Sequence, residues 1–316
     1  IAVRLSKRSS EKLFRRVAEV QRLGTGTVAI YNNDFIIKNL VDFGYDIHEA
    51  RNFANDGCWE IQVPGATCFT YHPYDVLLLL DETLGVNADK TPEYPSFDDL
   101  YAAWFEKVRA GAVDIIENYG VGWGTQGTPN TMISLFINDC IERAAGYYDR
   151  GARYTVYSPH ASGLPNVINS LFAIKKYVYE EKKLTLDELV GYLRLNWEGH
   201  EDIRRRILKD FIGYGNAEPE IDEFGKKVLH DYSWFQREVH SKAGVLFPAG
   251  ASTFGREIGF KDQRSAQADG HLAHEILAAN ITPTPGSDKN GPTAIIQSLG
   301  ALDMSSLVNG TALDMK

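Results

Sequence analysis

The feature that most constrains this chain is the alternation of long stretches with helical periodicity and short β-prone runs bounded by Gly, Pro or Asp. Residues 9–23 open on Ser-Ser-Glu, a cap signal, and then place Leu13, Phe14, Val17 and Val20 at helical spacing, with basic residues on the other side. Similar patterns predict helices over residues 34–43, 47–54, 74–84, 97–118, 131–145, 165–182, 186–197, 202–211 and 221–241. Between them the β-prone runs fall at 58–63, 154–157, 245–248 and 281–284. Strands separated by long helical stretches imply a sheet or barrel clad by helices, an α/β fold.

The charge balance excludes one class of partner. Among 316 residues, 33 Lys plus Arg stand against 42 Asp plus Glu, a formal charge of −9, which argues against a nucleic-acid surface. With 44% hydrophobic and 24% charged residues the chain has enough apolar material for a large core. Its most apolar run, residues 76–80, is far short of the roughly 20 residues of a membrane span. Three cysteines, Cys58, Cys68 and Cys140, without metal-ligand spacing, suit reduced thiols in a cytosol. No targeting segment precedes Ile1, and the chain stops at Asp314-Met315-Lys316, so a piece of a longer polypeptide is expected, one domain or part of one. Residues 88–96 read as a surface loop.

Asp56-Gly57-Cys58-Trp59-Glu60 is the first segment able to carry chemistry. A thiol is followed two residues later by a carboxylate, and on an extended segment the two share a face. The bland alternative is a buried, inert cysteine, since free Cys is among the most buried residue types. A nucleophilic thiol needs a nearby His or cation; His72, His160, His271 and His274 are available, but sequence fixes none of them beside Cys58. The His271 to His274 spacing could serve a metal, yet no third ligand can be nominated, and solvated histidines with no metal are expected. Gly24-Thr25-Gly26 lacks the third glycine of a dinucleotide cradle and reads as a loop, and the glycine-rich residues 120–127 read as a turn. Asp288-Lys289-Asn290-Gly291-Pro292-Thr293 is a loop entering a helix over 294–299.

Four segments together resemble the glycyl radical enzymes, the superfamily of pyruvate formate-lyase, glycerol and diol dehydratases, choline trimethylamine-lyase and arylacetate decarboxylases. They are Tyr31-Asn32-Asn33-Asp34 through Glu49-Ala50-Arg51-Asn52-Phe53 into Asp56-Gly57-Cys58-Trp59-Glu60; Ser158-Pro159-His160-Ala161-Ser162-Gly163-Leu164-Pro165-Asn166-Val167 into Ala173-Ile174-Lys175-Lys176; Tyr214-Gly215-Asn216; and Ser287 through Ala294 with Asn309-Gly310-Thr311. They occur in the family's order along nearly the whole chain. The resemblance implies a ten-stranded barrel clad by helices, with the active-site cysteine, here Cys58, on a loop threaded into its interior. It also implies that a glycyl radical, installed by a separate S-adenosylmethionine [4Fe-4S] activase, takes hydrogen from that cysteine. The resulting thiyl then takes hydrogen from a small-molecule substrate, and the protein itself holds no metal and no bound cofactor.

The chain also departs from the family. The Arg-Val-x-Gly-Tyr type radical loop is absent from all 316 residues, as is the segment that usually precedes the cysteine loop. Only part of the barrel is therefore expected over 1–316, with the C-terminal glycine radical domain absent. Trp59 stands where the family usually has a small aliphatic residue, and residues 266–279 diverge from the usual pattern. The pyruvate formate-lyase pattern is a Cys-Cys arrangement at this loop, which Trp59 excludes here. Gly57-Cys58-Trp59-Glu60 instead resembles the Gly-Cys-x-Glu of eliminating and decarboxylating members, in which the carboxylate moves a proton.

The resulting expectation is the catalytic portion of an anaerobic glycyl radical lyase or dehydratase, with Cys58 as thiyl carrier and Glu60 as base. An arylacetate-type decarboxylase and a non-catalytic barrel homologue stand as alternatives. The expected partners are a small-molecule substrate, a radical-SAM activase, the missing parts or a companion subunit, and further copies in a homo-oligomer, with no nucleic acid and no membrane. The expected location is cytoplasmic or within a bacterial microcompartment.

Overall fold

A computed structural model describes residues 1–24, 28–56, 58–121, 130–253 and 255–315. Its frame is a parallel pair of nine-residue strands, β5 (Thr67–Asp75) and β6 (Tyr154–Ser162), in register from Thr67 opposite Tyr154 to Asp75 opposite Ser162. Parallel strands need a long crossover, and here it includes the helices Val76–Leu84 and Phe97–Asp114. Asp75 caps the first through Leu77 and Leu78, and Ser96 with Asp99 forms a capping box at the second. β6 is buried almost throughout, as expected of a central strand covered on both faces. On its far side lie β8 (Val245–Leu246), opposite Thr155 and Val156, and β9 (Gly250–Ala251), opposite His160 and Ala161. β7 (Ser241–Lys242) pairs antiparallel with β8 at the edge.

Two smaller sheets precede this one. β1 (Ala2–Leu5) and β2 (Ala29–Asn32) are parallel, with the helix Glu11–Gln21 between them, and β3 (Ala54–Asp56) with β4 (Glu60–Gln62) is an antiparallel hairpin. The main core joins the helices Val76–Leu84, Phe97–Asp114, Leu164–Ile174 and Pro219–Tyr232 to the sheet around Trp104, Ile168, Leu171, Val228, Phe235 and Phe247. A second apolar cluster, with Tyr31, Leu40, Phe43, Phe53, Ile61, Val63 and Val308, lies under the hairpin. The α/β class and the helix-clad sheet agree with the sequence reading. Among the described residues the largest sheet has five strands and is open, with β5 at one edge and β7 at the other.

The boundaries required several corrections. The helix expected over 74–84 begins only at Val76, because β5 runs to Asp75. β5 is not among the expected strands; it contains Pro73, which an edge strand tolerates. Of the helix expected over 131–145 only Thr131–Ser134 forms, and Met132, Leu135, Phe136 and Ile141, whose spacing gave the pattern, are exposed rather than packed. The 97–118 and 165–182 stretches end in wide π-helical turns, Ile115–Val121 and Lys175–Glu180, and 221–241 splits into Pro219–Tyr232 and Trp234–Glu238. Residues 281–284 form no strand, since Pro283 and Pro285 remove the amides a ladder needs. The expected 58–63 strand is instead the far arm of the hairpin. Gly57, Gly26 and the glycine-rich stretch from 122 to 127 lie outside the described residues.

Candidate active site

The hairpin β3–β4 carries both residues singled out by sequence. Asp56 pairs with Glu60, so Cys58 occupies the turn and Glu60 opens the returning strand. Extended period-two geometry therefore does not relate the two side chains: Cys58 is exposed, whereas Glu60 is 1% exposed. The turn is held from below. The Tyr31 hydroxyl, from β2, donates to the Cys58 carbonyl at 2.9 Å, and the Asn55 amide donates to the same oxygen at 3.3 Å. The approach to the hairpin is fixed by Arg4, whose guanidinium donates to the Phe53 carbonyl at 2.9 Å and the Arg51 carbonyl at 2.8 Å, bonds Asn33, and lies over the Phe53 ring at 3.8 Å. Tyr31, Asn33, Arg51 and Phe53 of the first matching segment are thus supports of the turn.

Electrostatics separate the thiol from a nucleophile. Burial pushes the Cys58 thiol up, and the carboxylates of Glu60 and Asp56 push in the same direction. A thiol so placed keeps its proton, whereas a nucleophilic cysteine requires the thiolate. Burial also raises Glu60, opposed by its own and the Trp59 amide, and the Asp56 charge raises it further. The Trp59 N–H donates to Glu60 Oε2 at 3.3 Å, while Oε1 is buried without a hydrogen-bond partner among the described residues. A carboxylate with one uncommitted buried oxygen and a raised pKa can accept a proton. Tyr31 is pushed up to about 12 by burial, Glu60 and Cys58, so it stays a donor at neutral pH.

The remaining expected residues are dispersed. Cys68 and Cys140 are buried, with thiols raised by burial. His72, on β5, lies 3.5 Å from the Tyr157 hydroxyl, with its ring tilted against that of Tyr119 at 4.7 Å between centroids. His271 is buried, 2.9 Å from Asp269, and His274 is on an exposed turn rather than a helix, so the two do not share a helical face. No cluster of three metal-ligating side chains occurs among the described residues. Asn216 accepts from the Lys289 and Asn290 amides at 2.7 and 3.1 Å and donates to the Gly213 and Ser287 carbonyls. The third matching segment thus fastens the loop that enters the helix Gly291–Ala301. Sequence reasoning assigned no role to Tyr31, Asn55 or Asn309, although Tyr31 and Asn309 stood inside the matching segments.

A pyruvate formate lyase-like family model matches residues 1–261. The trans-4-hydroxy-L-proline dehydratase of Clostridioides difficile is 28% identical over 325 residues, covering 95% of this chain and 40% of its own length. A solved structure of 1,2-propanediol dehydration in Roseburia inulinivorans superposes with a TM-score of 0.89 at 30% identity, covering 99% of this chain and 42% of that one. A glycyl radical enzyme from Archaeoglobus fulgidus superposes at 0.88 with 27% identity, covering 98% and 41%. The chain spans about 40% of the length of these relatives.

Proposed function

The chain belongs to the pyruvate formate lyase-like family of glycyl radical enzymes, and from that premise we propose that it is the catalytic portion of a radical lyase or dehydratase acting on a small molecule. Cys58 carries the hydrogen atom and Glu60 the proton. The observation that supports this best is that one hairpin carries a thiol raised by burial and by the nearby Glu60 and Asp56 carboxylates, together with Glu60 itself, buried and with one oxygen uncommitted. Hydrogen-atom transfer consumes an S–H bond, so a raised thiol pKa suits it, whereas acyl transfer would call for the opposite shift.

A glycyl radical in a part of the enzyme outside these residues, installed by a radical-SAM activase, would supply the hydrogen-atom acceptor, and Cys58 would hold the S–H it draws on. The Cys58 sulfur then takes a hydrogen atom from a substrate C–H, restoring S–H and leaving a carbon radical. Glu60 takes the proton of the adjacent hydroxyl and passes it to the neighbouring hydroxyl, which leaves as water, and the resulting carbon radical takes the hydrogen atom back from Cys58, regenerating the thiyl. The dehydratase name of one relative and the dehydration described for another favour loss of a hydroxyl over decarboxylation. Trp59, half-buried beside Cys58, borders the same turn and packs against the apolar cluster under the hairpin.

The test uses the complete enzyme, activated without oxygen. Cys58→Ala should abolish turnover while the glycyl radical still forms, as read by electron paramagnetic resonance. Glu60→Gln should lower turnover by roughly 10²- to 10⁴-fold at unchanged radical content. Retained turnover in Cys58→Ala would remove Cys58 as the carrier.

A further inference from the structure

Asn309 is one of the residues that tie the hairpin to the main sheet, and it does so through both its backbone and its side chain. Its backbone amide donates to the Ala249 carbonyl at 2.9 Å, next to β9, and its carbonyl accepts from the Ile61 amide on β4 at 3.2 Å. Its side-chain Nδ2 donates to the Ile61 carbonyl at 3.5 Å, and its Oδ1 lies 2.8 Å from Nε2 of His160 on β6. The other imidazole nitrogen, Nδ1, lies 2.8 Å from the hydroxyl of Ser252. Asn309, His160 and Ser252 are all at most 1% exposed.

These contacts select one protonation state. With Nδ2 donating to Ile61, Oδ1 is an acceptor, so Nε2 of His160 must carry its proton and Nδ1 must accept from the Ser252 hydroxyl. Burial pushes the His160 pKa down to about 4, keeping the ring neutral. The neighbouring glycines leave no slack. A side chain at Gly250 would collide with the imidazole, and Gly310, at φ +103°, would bring a Cβ to 3.3 Å from the Trp59 carbonyl. The ring, the amide and the backbone beside Cys58 are thus in continuous contact.

We propose that Asn309 and His160 are positioning residues, a buried clasp that sets the hairpin of Cys58 and Glu60 against the sheet. Ile61 follows Glu60 directly, so a shift of Ile61 on release of the clasp moves the carboxylate and the turn bearing the thiol. Transfer of a hydrogen atom is sensitive to displacements of about 1 Å. The inference rests on the assignment of Cys58 and Glu60 to the reaction.

The test again uses the complete enzyme, and its central comparison is His160→Gln against His160→Asn. The Gln amide nitrogen can take the place of Nε2 and still donate to Asn309. The Asn amide reaches only the position of Nδ1, keeping Ser252 and losing Asn309. A residue that merely fills space would be impaired alike by both. We expect His160→Gln to keep kcat within about threefold. His160→Asn and Asn309→Ala should lose about 10- to 100-fold in kcat, the range of one or two buried hydrogen bonds, with radical content preserved. In the unactivated protein the alkylation rate of Cys58, the exposed cysteine of the three, should change at least threefold in His160→Asn and Asn309→Ala but not in His160→Gln. Equal kcat and equal alkylation in the two His160 variants would overturn the clasp. Turnover by Cys58→Ala would instead overturn the catalytic reading, with the alkylation rates still deciding the clasp.

Discussion

Tyr31 contributes a single hydroxyl to the site, and its effect can be isolated. It donates to the carbonyl of the residue proposed to carry the radical, and it stays protonated because burial, and after it the nearby Glu60 carboxylate, push its pKa up to about 12. Tyr31→Phe keeps the ring in its apolar cluster and deletes only the donor, leaving Asn55 as the second partner of that carbonyl. The expected cost is about 1 kcal/mol of stability, with a several-fold fall in kcat and unchanged radical content, read by chemical denaturation and steady-state kinetics. Denaturation and turnover both equal to wild type would show that Asn55 alone holds the turn. His160 adds a pH dependence at this scale. Its folded pKa, about 4, lies below the usual 6.5, so the folded state binds fewer protons in that interval. The stability it contributes is present above about 6.5 and is lost as pH falls toward 4.

The junction of β5 with the helix Val76–Leu84 shows how an element boundary can hold charge. Asp75 caps the helix and pairs with Arg264, both nearly buried, and Asp81, nearly two turns further on, accepts from the Ser265 amide at 3.2 Å. Burial raises Asp81 to about 6 against the opposing pull of Ser265 and Arg264. A carboxyl raised above its unfolded value of 3.8 stabilises the fold when protonated. Its contribution is full below about 3.8 and is lost as pH rises through about 6. Asp81→Asn, which can still accept from Ser265, should therefore remove up to about 2 to 3 kcal/mol of the stability lost between pH 4 and 7. Urea midpoints for both proteins across that range are the measurement, and parallel curves would sink the idea. Beside β9, Gly310→Ala combines a positive φ with a close approach to Trp59, and should cost about 1 to 3 kcal/mol in the same assay.

At the scale of the molecule the open sheet and the exposed Cys58 agree with a chain that spans about 40% of its relatives' length. No residue in the sequence matches the Arg-Val-x-Gly-Tyr radical loop. The 316-residue chain treated without oxygen with an activase and S-adenosylmethionine should therefore give no doublet radical signal and no turnover, while the complete enzyme gives both. A signal assigned to a glycine within these residues would overturn that reading.

The sequence by itself determined the α/β class, most of the helices and the family, because amphipathic periodicity and short matching segments are local properties of the chain. It singled out Cys58 and Glu60 for the same reason, as neighbours in one segment. It misplaced β5 and the helix expected over 131–145, where local pattern and packing disagree: a proline is tolerated at a sheet edge, and apolar spacing without a core to meet leaves Phe136 and Ile141 in solvent. Only the tertiary structure decided that Glu60 is buried while Cys58 is not, because a turn intervenes where an extended strand was expected. It alone joined Tyr31 to Cys58, 27 residues away, and Asn309 to Ile61, 248 residues away. Hydrogen bonds over such separations depend on how strands and loops are stacked, and no spacing within a segment encodes them.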